Sequence, residues 1–584
     1  MTVQPYRQDY PRPQFERAEW LNLNGEWEFE FDDDQVGNQE KWYVSHDFSQ
    51  KIQIPFCFQS SLSGIGDTGF HDIVWYRKRF NVSEAHVSKR IVLHFGAVDY
   101  MSWVWINGQL VKVHEGGHTP FSVDITEQLQ SGENTIVVKA QDYSQDHTLP
   151  KGKQYWVKKS ADIWYTRTTG IWQTVWIEPV AETYLNKVKL TPYIDSNEIK
   201  IRVFIEGRLS DNLWLKTVIS FKGAPVTEEI VKVTEPELMR RIGLNDFNDH
   251  GRGRWWSPDK PNLYDVQFLL LEGDQVIDEV NSYFGMRKIS IEDGKVCLNN
   301  RFYYMKLVLD QGYFPDGIMT PPTDDAIKQD VELTKAMGFN GARKHQKIED
   351  PRYLYWCDRL GLLVWGEMAN AAAYSESYVR RITSEWQEAI ERDYNHPCIV
   401  AWVPLNESWG VPNILVDKLQ QQHALGLYHL TKSLDDTRLV ISNDGWEHIK
   451  SDICTIHDYE SKREVLEERY RTVENAVQSK PANRWIHVPD YPYEGAPIHV
   501  SEYGGVSFKK SDWEGWGYSA AQSDEDFIER YTAVTQPLLQ SPVVQGFCYT
   551  QLTDVEQEIN GLLTYDRKPK VALDVIKQIN EGKR

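Results

Sequence analysis

The sequence changes its grammar near residue 289, and that change constrains the fold more than any other feature. From there to residue 584, eight short apolar runs alternate with helical stretches of roughly 12 to 20 residues, the pattern of parallel βα units. The runs are FYYMKLVL ending near Leu309, FNGARK ending near Lys344, LLVWGEM ending at Met368, IVAWVPL ending at Leu405, RLVISN ending at Asn443, ICTIH ending at His457, PIHVSE ending at Glu502 and VVQGFCYT ending at Thr550. Between the second and third, Asp350 and Pro351 supply an N-cap and a first-turn proline, and Gly361 is placed to end the helix. Eight such units predict a (β/α)8 TIM barrel over 289–584. A doubly wound sheet has fewer strands and a glycine-rich phosphate turn after the first, which is missing here.

The preceding residues read differently. Residues 1–180 alternate apolar and polar positions in short runs such as WEFEF at 27–31, RIVLHF at 90–95 and NTIVVKA at 134–140, with turns at Asn107-Gly108, Gly116-Gly117 and Ser131-Gly132. A β jelly-roll sandwich is predicted. Over 181–288 the strand pattern continues around a loop at 250–262 rich in glycine, proline and tryptophan, and suggests an immunoglobulin-like sandwich. Three domains suit 584 residues, because single cores stop growing near about 250 to 300.

Charge narrows the partner. With 64 basic and 85 acidic side chains the formal charge is −21, which repels nucleic acid phosphates and anionic membrane surfaces and favours a neutral ligand. The six cysteines are scattered without zinc-site or disulfide spacing and read as reduced core residues. No apolar stretch suits a signal peptide or a membrane span, so a cytoplasmic protein is expected.

Barrels bind ligands at the C-terminal ends of their strands. Those ends carry Asp310, Arg343 with His345, Glu367, Asn406 with Glu407, Asn443 with Asp444, His457 with Tyr459, Glu502 with Tyr503, and Gln551. Such convergence predicts a polar pocket, since unpaired polar groups inside a barrel cost about 1 to 3 kcal/mol each. Glu407 and Glu502 are the most specific pair. Glycoside hydrolysis needs two carboxyls whose surroundings push their pKa values apart, one kept protonated and one ionised. Glu407 lies in VPLNESWG, where Trp409 would exclude water and favour the neutral acid. Glu502 lies in HVSEYGG, where Tyr503 would donate to or pack beside an ionised nucleophile. Metal-assisted hydrolysis is the rival chemistry, but His345 and His457 are single and show no ligand spacing, so neither a metal nor another cofactor is expected.

The residues now resemble glycoside hydrolase family 2, which contains β-galactosidases, β-glucuronidases and β-mannosidases. The likeness runs through LNGEWEFEF at 23–31, WYRKRF at 75–80, VWINGQLV at 104–111, HEGGHTPFSVDIT at 114–126, GIWQTVWIE at 170–178, WSPDKPNLYDV at 256–266 and FGMRKI at 284–289. In the barrel it is carried by MGFNGAR at 337–343, WCDRLGLLVWGE at 356–367, NES at 406–408 and SEYGG at 501–505. The resemblance implies retaining hydrolysis of a β-glycoside, with Glu407 as acid/base and Glu502 as nucleophile, their carboxyls about 5 to 5.5 Å apart. It also implies Asn406 on the sugar's 2-hydroxyl, with Arg343, His457 and Tyr503 supporting the nucleophile. His345, Asp310, Glu367, Trp446 and Tyr549 complete the expected substrate-binding set.

Three departures bear on the substrate. After the arginine of the second strand, much of the family continues Thr-Ser-His-Tyr-Pro; here the usual histidine position falls on Gln346, so that its role is either lost or taken by His345. Glucuronidases of the family carry Asn-x-Lys before the glycine of the last barrel loop, where this chain has Glu558, Ile559 and Asn560, and a glutamate there would repel a sugar carboxylate. The eighth-strand tryptophan of galactosidases is replaced by Tyr549. Lys344 and Lys347 read as solvated surface lysines, with an anionic sugar as the other possibility. The expected substrate is a terminal, non-reducing neutral β-glycoside of an oligosaccharide or small glycoside, β-galactosidase-like. β-Glucuronidase, arabinosidase or galactofuranosidase, and a non-catalytic carbohydrate-binding protein are the alternatives. A homo-oligomer, dimer or higher, is the expected assembly.

Overall fold

The structure, a computed structural model, describes residues 6–83, 86, 89–244, 253–510 and 514–583. Of the loop expected at 250–262, residues 250–252 lie outside the described residues. In the N-terminal part, alternating runs pair into two antiparallel sheets. The larger has six strands in the order Gln50–Ile54, Gly25–Phe31, Ile73–Asn81, Glu133–Gln141, Met101–Ile106 and Gln109–Glu115. The smaller has Leu21–Asn22, Val175–Val180, Arg90–Phe95 and Phe121–Asp124. Because side chains alternate faces, Trp27, Phe29, Val74, Tyr76, Leu93, Ile136 and Val138 collect between the layers. A second sandwich follows, with a three-stranded sheet beginning at Tyr184–Tyr193 and a four-stranded sheet centred on Leu213–Phe221 and Tyr264–Glu272.

The last part is a barrel of eight parallel strands: β1 Met305–Asp310, β2 Gly341–Lys344, β3 Leu363–Glu367, β4 Ile399–Val403, β5 Leu439–Val440, β6 Cys454–Asp458, β7 Ile498–Gly504 and β8 Val544–Thr550. They neighbour one another in the order β5, β4, β3, β2, β1, β8, β7, β6. The seam between β5 and β6 has no continuous ladder. Beyond Val440 the chain turns, Ser442 N–H bonding Ser451 Oγ at 3.0 Å, and the seam is held by His457 N–H to Gly445 O at 3.2 Å and Gly445 N–H to Thr455 Oγ1 at 3.0 Å. The fifth run therefore yields a shorter strand than its apolar pattern suggests.

The helix after β2, α1 being Asp324–Ala336 and α2 Pro351–Leu360, starts and stops as its sequence requires. Asp350 accepts from Arg352 N–H at 2.9 Å, Pro351 takes the first turn, and Gly361 ends α2 at φ +78°. A side chain at Gly361 would also meet Pro258 O at 2.4 Å. The six cysteines are buried and free. Among the described residues no helix is long and apolar enough to cross a membrane.

One excursion of the N-terminal sandwich matters for the site. Residues 147–169 leave it and dock on the barrel mouth, where Gly152 N–H bonds Asn370 O at 3.0 Å and Ala373 N–H bonds His147 O at 2.9 Å.

Candidate active site

Arg343, at the end of β2, is fully buried and organises the mouth of the barrel. Its guanidinium reaches Glu367 Oε2 at 2.7 Å, Asp444 Oδ2 at 2.8 Å, Glu502 Oε1 at 2.9 Å and Asn406 Oδ1 at 2.6 Å. Burial opposes that charge, but three carboxylates overcome it and hold Arg343 well above its ordinary value. The planar fork satisfies groups from β3, β7 and the loops after β4 and β5 at once, which a lysine point charge does not.

Glu407 is aimed by its backbone. Glu407 and Ser408 both adopt left-handed conformations, φ +52° and +60°, each costing on the order of 1 to 3 kcal/mol for a residue with a side chain. The turn is over-determined by neighbours. Glu407 N–H bonds Asp444 O at 2.9 Å, Ser408 N–H bonds Asn443 Oδ1 at 2.9 Å, and Trp409 N–H bonds Asn406 O at 2.9 Å.

Glu502 is aimed by a bulge. Along β6 and β7, Ile456 pairs with Val500 but His457 pairs with Glu502, so Ser501 is extra on β7. The bulge brings Glu502 level with His457. Tyr459 then donates to Glu502 Oε2 at 2.5 Å, and Tyr459 also lies 3.0 Å from Thr550 Oγ1.

His457 links the two acids. Its Nδ1 lies 2.7 Å from Glu407 Oε1 and 3.5 Å from Glu502 Oε2, and its Nε2 lies 2.7 Å from Asp444 Oδ2. Burial disfavours a charged ring, yet Glu502, Asp444 and Glu407 outweigh it and raise His457 to about 10. One oxygen of Glu407, one of Glu502 and a nitrogen of His457 all fall within 4.8 Å of one another. Burial would raise Glu407, but the His457 hydrogen bond and charge, with Lys153 and Arg343, bring it below its ordinary value. This corrects the expectation that burial beside Trp409 leaves Glu407 neutral: Trp409 meets Trp164 edge-on at 4.9 Å, while a cation touches the carboxyl itself.

The Glu407, His457 and Glu502 cluster has the spacing of a metal site, with both ring nitrogens of His457 already engaged, Nδ1 by Glu407 and Nε2 by Asp444. Asp358, His396 and Cys398 cluster elsewhere, where Asp358 already binds His396 at 2.6 Å, Tyr283 at 2.8 Å and the Cys398 N–H at 2.8 Å.

Other expected residues distribute on both sides of the wall. Asn406 Nδ2 meets His345 Nε2 at 3.2 Å, and burial, followed by the nearby Arg343 charge, keeps His345 well below its ordinary value and neutral. Glu367 lies behind Arg343, accepts from Gln346 N–H at 3.1 Å, and is raised by burial to about 7. Trp446 packs edge-on against His457, ring centroids 5.4 Å apart. Asp310 turns away from the acids: it pairs with Lys344 at 2.8 Å and accepts from Gly312 N–H at 2.8 Å. Lys344 and Lys347 are buried, not solvated, and both bind Glu349, at 2.8 and 2.9 Å. The surface reading of these lysines fails because Glu349 is buried with them and neutralises their charge. Tyr503 faces the helical layer, its hydroxyl 3.1 Å from Thr535 Oγ1. It is not the donor to Glu502, because neighbours on a strand face opposite ways and Tyr459 fills that role. Tyr549 is fully buried against Tyr503 and Tyr531, its hydroxyl 3.3 Å from Val506 N.

Two groups were not legible as site residues. Lys153, from the docked excursion, is buried at the barrel mouth, and burial lowers its pKa while Glu558, Glu407, Glu502 and Glu367 raise it. Tyr518 stacks on Tyr459, ring centroids 3.5 Å apart, and covers the nucleophile side. Glu558, buried in the last loop, accepts from Tyr165 and from Asn560 Nδ2 at 3.0 Å; burial raises it above its ordinary value.

Known proteins share this layout. Residues 21–178 match "Glycosyl hydrolases family 2, sugar binding domain", residues 183–287 match "Glycosyl hydrolases family 2", and residues 289–582 match "Glycosyl hydrolases family 2, TIM barrel domain". The chain belongs to family 2 of the glycosyl hydrolases. It is 29% identical over 350 residues to a putative β-glucuronidase of Formosa agariphila, covering 58% of this chain and 40% of that one. It is 27% identical over 416 residues to a β-galactosidase of Thermoanaerobacter pseudethanolicus, covering 67% of this chain and 51% of that one. The chain thus spans about half or less of the length of these relatives. In fold it resembles a β-glucuronidase of an uncultured Clostridium sp., with TM-score 0.78 and 19% identity over 99% of this chain and 100% of that one.

Proposed function

We propose that the protein is a retaining exo-β-glycosidase acting on terminal, non-reducing neutral β-glycosides, β-galactosidase-like, by double displacement. The observation that supports this most is the approach of Glu407 and Glu502 to within 4.8 Å, with His457 between them. Oxygens that approach this closely suit a nucleophile and an acid/base flanking one anomeric carbon, the short separation of a retaining enzyme rather than the roughly 6.5 to 9.5 Å of an inverting one.

Glu502, oriented by its contacts with Arg343 and Tyr459, attacks the anomeric carbon and forms a glycosyl ester as the leaving-group oxygen takes a proton from Glu407. In the free site that proton is stored in the Glu407–His457 hydrogen bond. Consumption of the Glu502 charge removes one of the carboxylates that hold it on His457. Glu407 then takes a proton from water, which attacks the anomeric carbon, breaks its bond to the Glu502 oxygen and releases the sugar with its configuration retained. Asn406, anchored by Arg343 and His345, is positioned for the 2-hydroxyl.

Arabinosides and galactofuranosides fall in the same neutral class. A β-glucuronide is the second reading, favoured by Lys153 at the mouth and by the names of several relatives. Glu558 opposes it, since a uronate there would crowd a second carboxylate around one ammonium. A binding-only protein would have no use for two acids matched across one carbon. A panel of nitrophenyl glycosides tests the reading: turnover of a neutral β-glycoside with the β anomer appearing first by NMR is expected. Turnover of the glucuronide alone, or no turnover, contradicts it.

A further inference from the structure

We propose that Lys153 of the N-terminal sandwich and Glu558 of the last barrel loop together form the subsite that grips hydroxyls of the terminal sugar, Lys153 donating and Glu558 accepting. The inference rests on the proposed glycosidase function and adds a specificity-determining residue to it.

Lys153 has only 6% of its surface exposed, yet among the described residues its ammonium makes neither a hydrogen bond nor an ion pair. The acids that act on it most strongly are Glu558, then Glu407 and Glu502, so it faces the reacting centre, but none comes within ion-pairing distance. An ammonium so largely removed from water and without a protein partner is costly, and a ligand that completes its hydrogen bonds would offset that cost.

Its position is fixed. Tyr165 N–H bonds Lys153 O at 2.9 Å, and Tyr155 N–H bonds Tyr165 O at 2.9 Å. The rings of Trp164 and Tyr165 each have their centroids 5.5 Å from Nζ, close enough to attract the cation without satisfying its hydrogen bonds. Gly152 sits at φ +61°, where a side chain would come within 2.2 Å of Gln346 O, so the excursion lies directly on the loop after β2.

Glu558 supplies the complement. Tyr165 binds one of its oxygens and Asn560 the other, leaving acceptor capacity on both, since a carboxylate has about four lone-pair sites. Asn560 Oδ1 beside it is buried without a hydrogen-bond partner. A donor and an acceptor presented together match adjacent sugar hydroxyls, each of which both donates and accepts.

The test compares wild type, Lys153→Met and Glu558→Gln on a turned-over nitrophenyl β-glycoside and on its mono-deoxy analogues, with melting temperatures of all three. Lys153→Met is expected to lower kcat/KM roughly 10- to 100-fold on the parent sugar, as for a lost hydrogen bond to a charged group. On the analogue lacking the gripped hydroxyl, variant and wild type should differ less than about threefold. The melting temperature should hold or rise, because an unpaired buried charge has been removed. An equal loss on every analogue, a change below about threefold on the parent, or a fall in melting temperature would overturn the proposal. If wild type turned over nothing, the glycosidase reading itself would fail. The melting comparison, which needs no substrate, would still decide whether Lys153 is held for a ligand or for the fold.

Discussion

His457 Nδ1 lies 2.7 Å from Glu407 Oε1, so the carboxyl proposed as acid/base is wired to an imidazole raised to about 10. Folding raises this imidazole from 6.5 to about 10, against burial and through Glu502, Asp444 and Glu407. A raised pKa contributes stability that is fully present below about 6.5 and is lost as pH rises through about 10. Denaturant unfolding across that window should show wild type losing stability with rising pH and His457→Gln losing less. Parallel curves would mean that the ring is neutral in the folded protein.

The roles of the two acids separate in variants. Glu502→Ala should lose roughly 10⁴-fold or more in kcat, with azide restoring a glycosyl azide of inverted configuration. Glu407→Ala should spare activated aglycones relative to poor leaving groups, and its azide product should be retained. Exchange of these behaviours would reverse the assignment.

Tyr459→Phe removes the 2.5 Å hydrogen bond to Glu502 while keeping the ring stacked on Tyr518. Loss of about 10²-fold in kcat with little change in melting temperature is expected from a donor aimed at a charged nucleophile. An unchanged kcat would show that Arg343 alone suffices.

Gly152→Ala tests the docking of the excursion. The new side chain would meet Gln346 O at 2.2 Å from a left-handed backbone, and must move the loop or strain it. A destabilisation of about 1 to 3 kcal/mol and a fall in kcat/KM are expected from denaturant titration and kinetics. Wild-type stability and activity would show the contact to be slack.

The barrel was legible because its apolar runs carry polar residues at or just beyond their ends, as Asp310 closes Met305–Asp310 and Asn406 and Glu407 follow Ile399–Val403. Facing was harder to read. Asp310 and Lys344 are register partners, one step past Leu309 and Arg343, so with Arg343 inside they share the outer side. Tyr503 beside Glu502 follows the same alternation, and Tyr549 is its register partner. Sequence order marked these as strand ends but did not supply the parity, which the bulge at Ser501 resets. Lys153 had no local signal, because its meaning comes from a contact between a sandwich loop and a barrel loop nearly 200 residues later, at Gln346. The charge on Glu407 was misjudged for a similar reason: His457 arrives from a different strand.

The central claim is that Glu502 carries the sugar. A 2-deoxy-2-fluoro β-glycoside of the preferred sugar, with a dinitrophenolate leaving group, should inactivate the enzyme. Mass spectrometry of its peptides should find one added fluorosugar on the segment containing Glu502, labile at neutral pH. A label on Glu407 or any other residue, or release of the α anomer as first product from an unlabelled enzyme, would contradict the account.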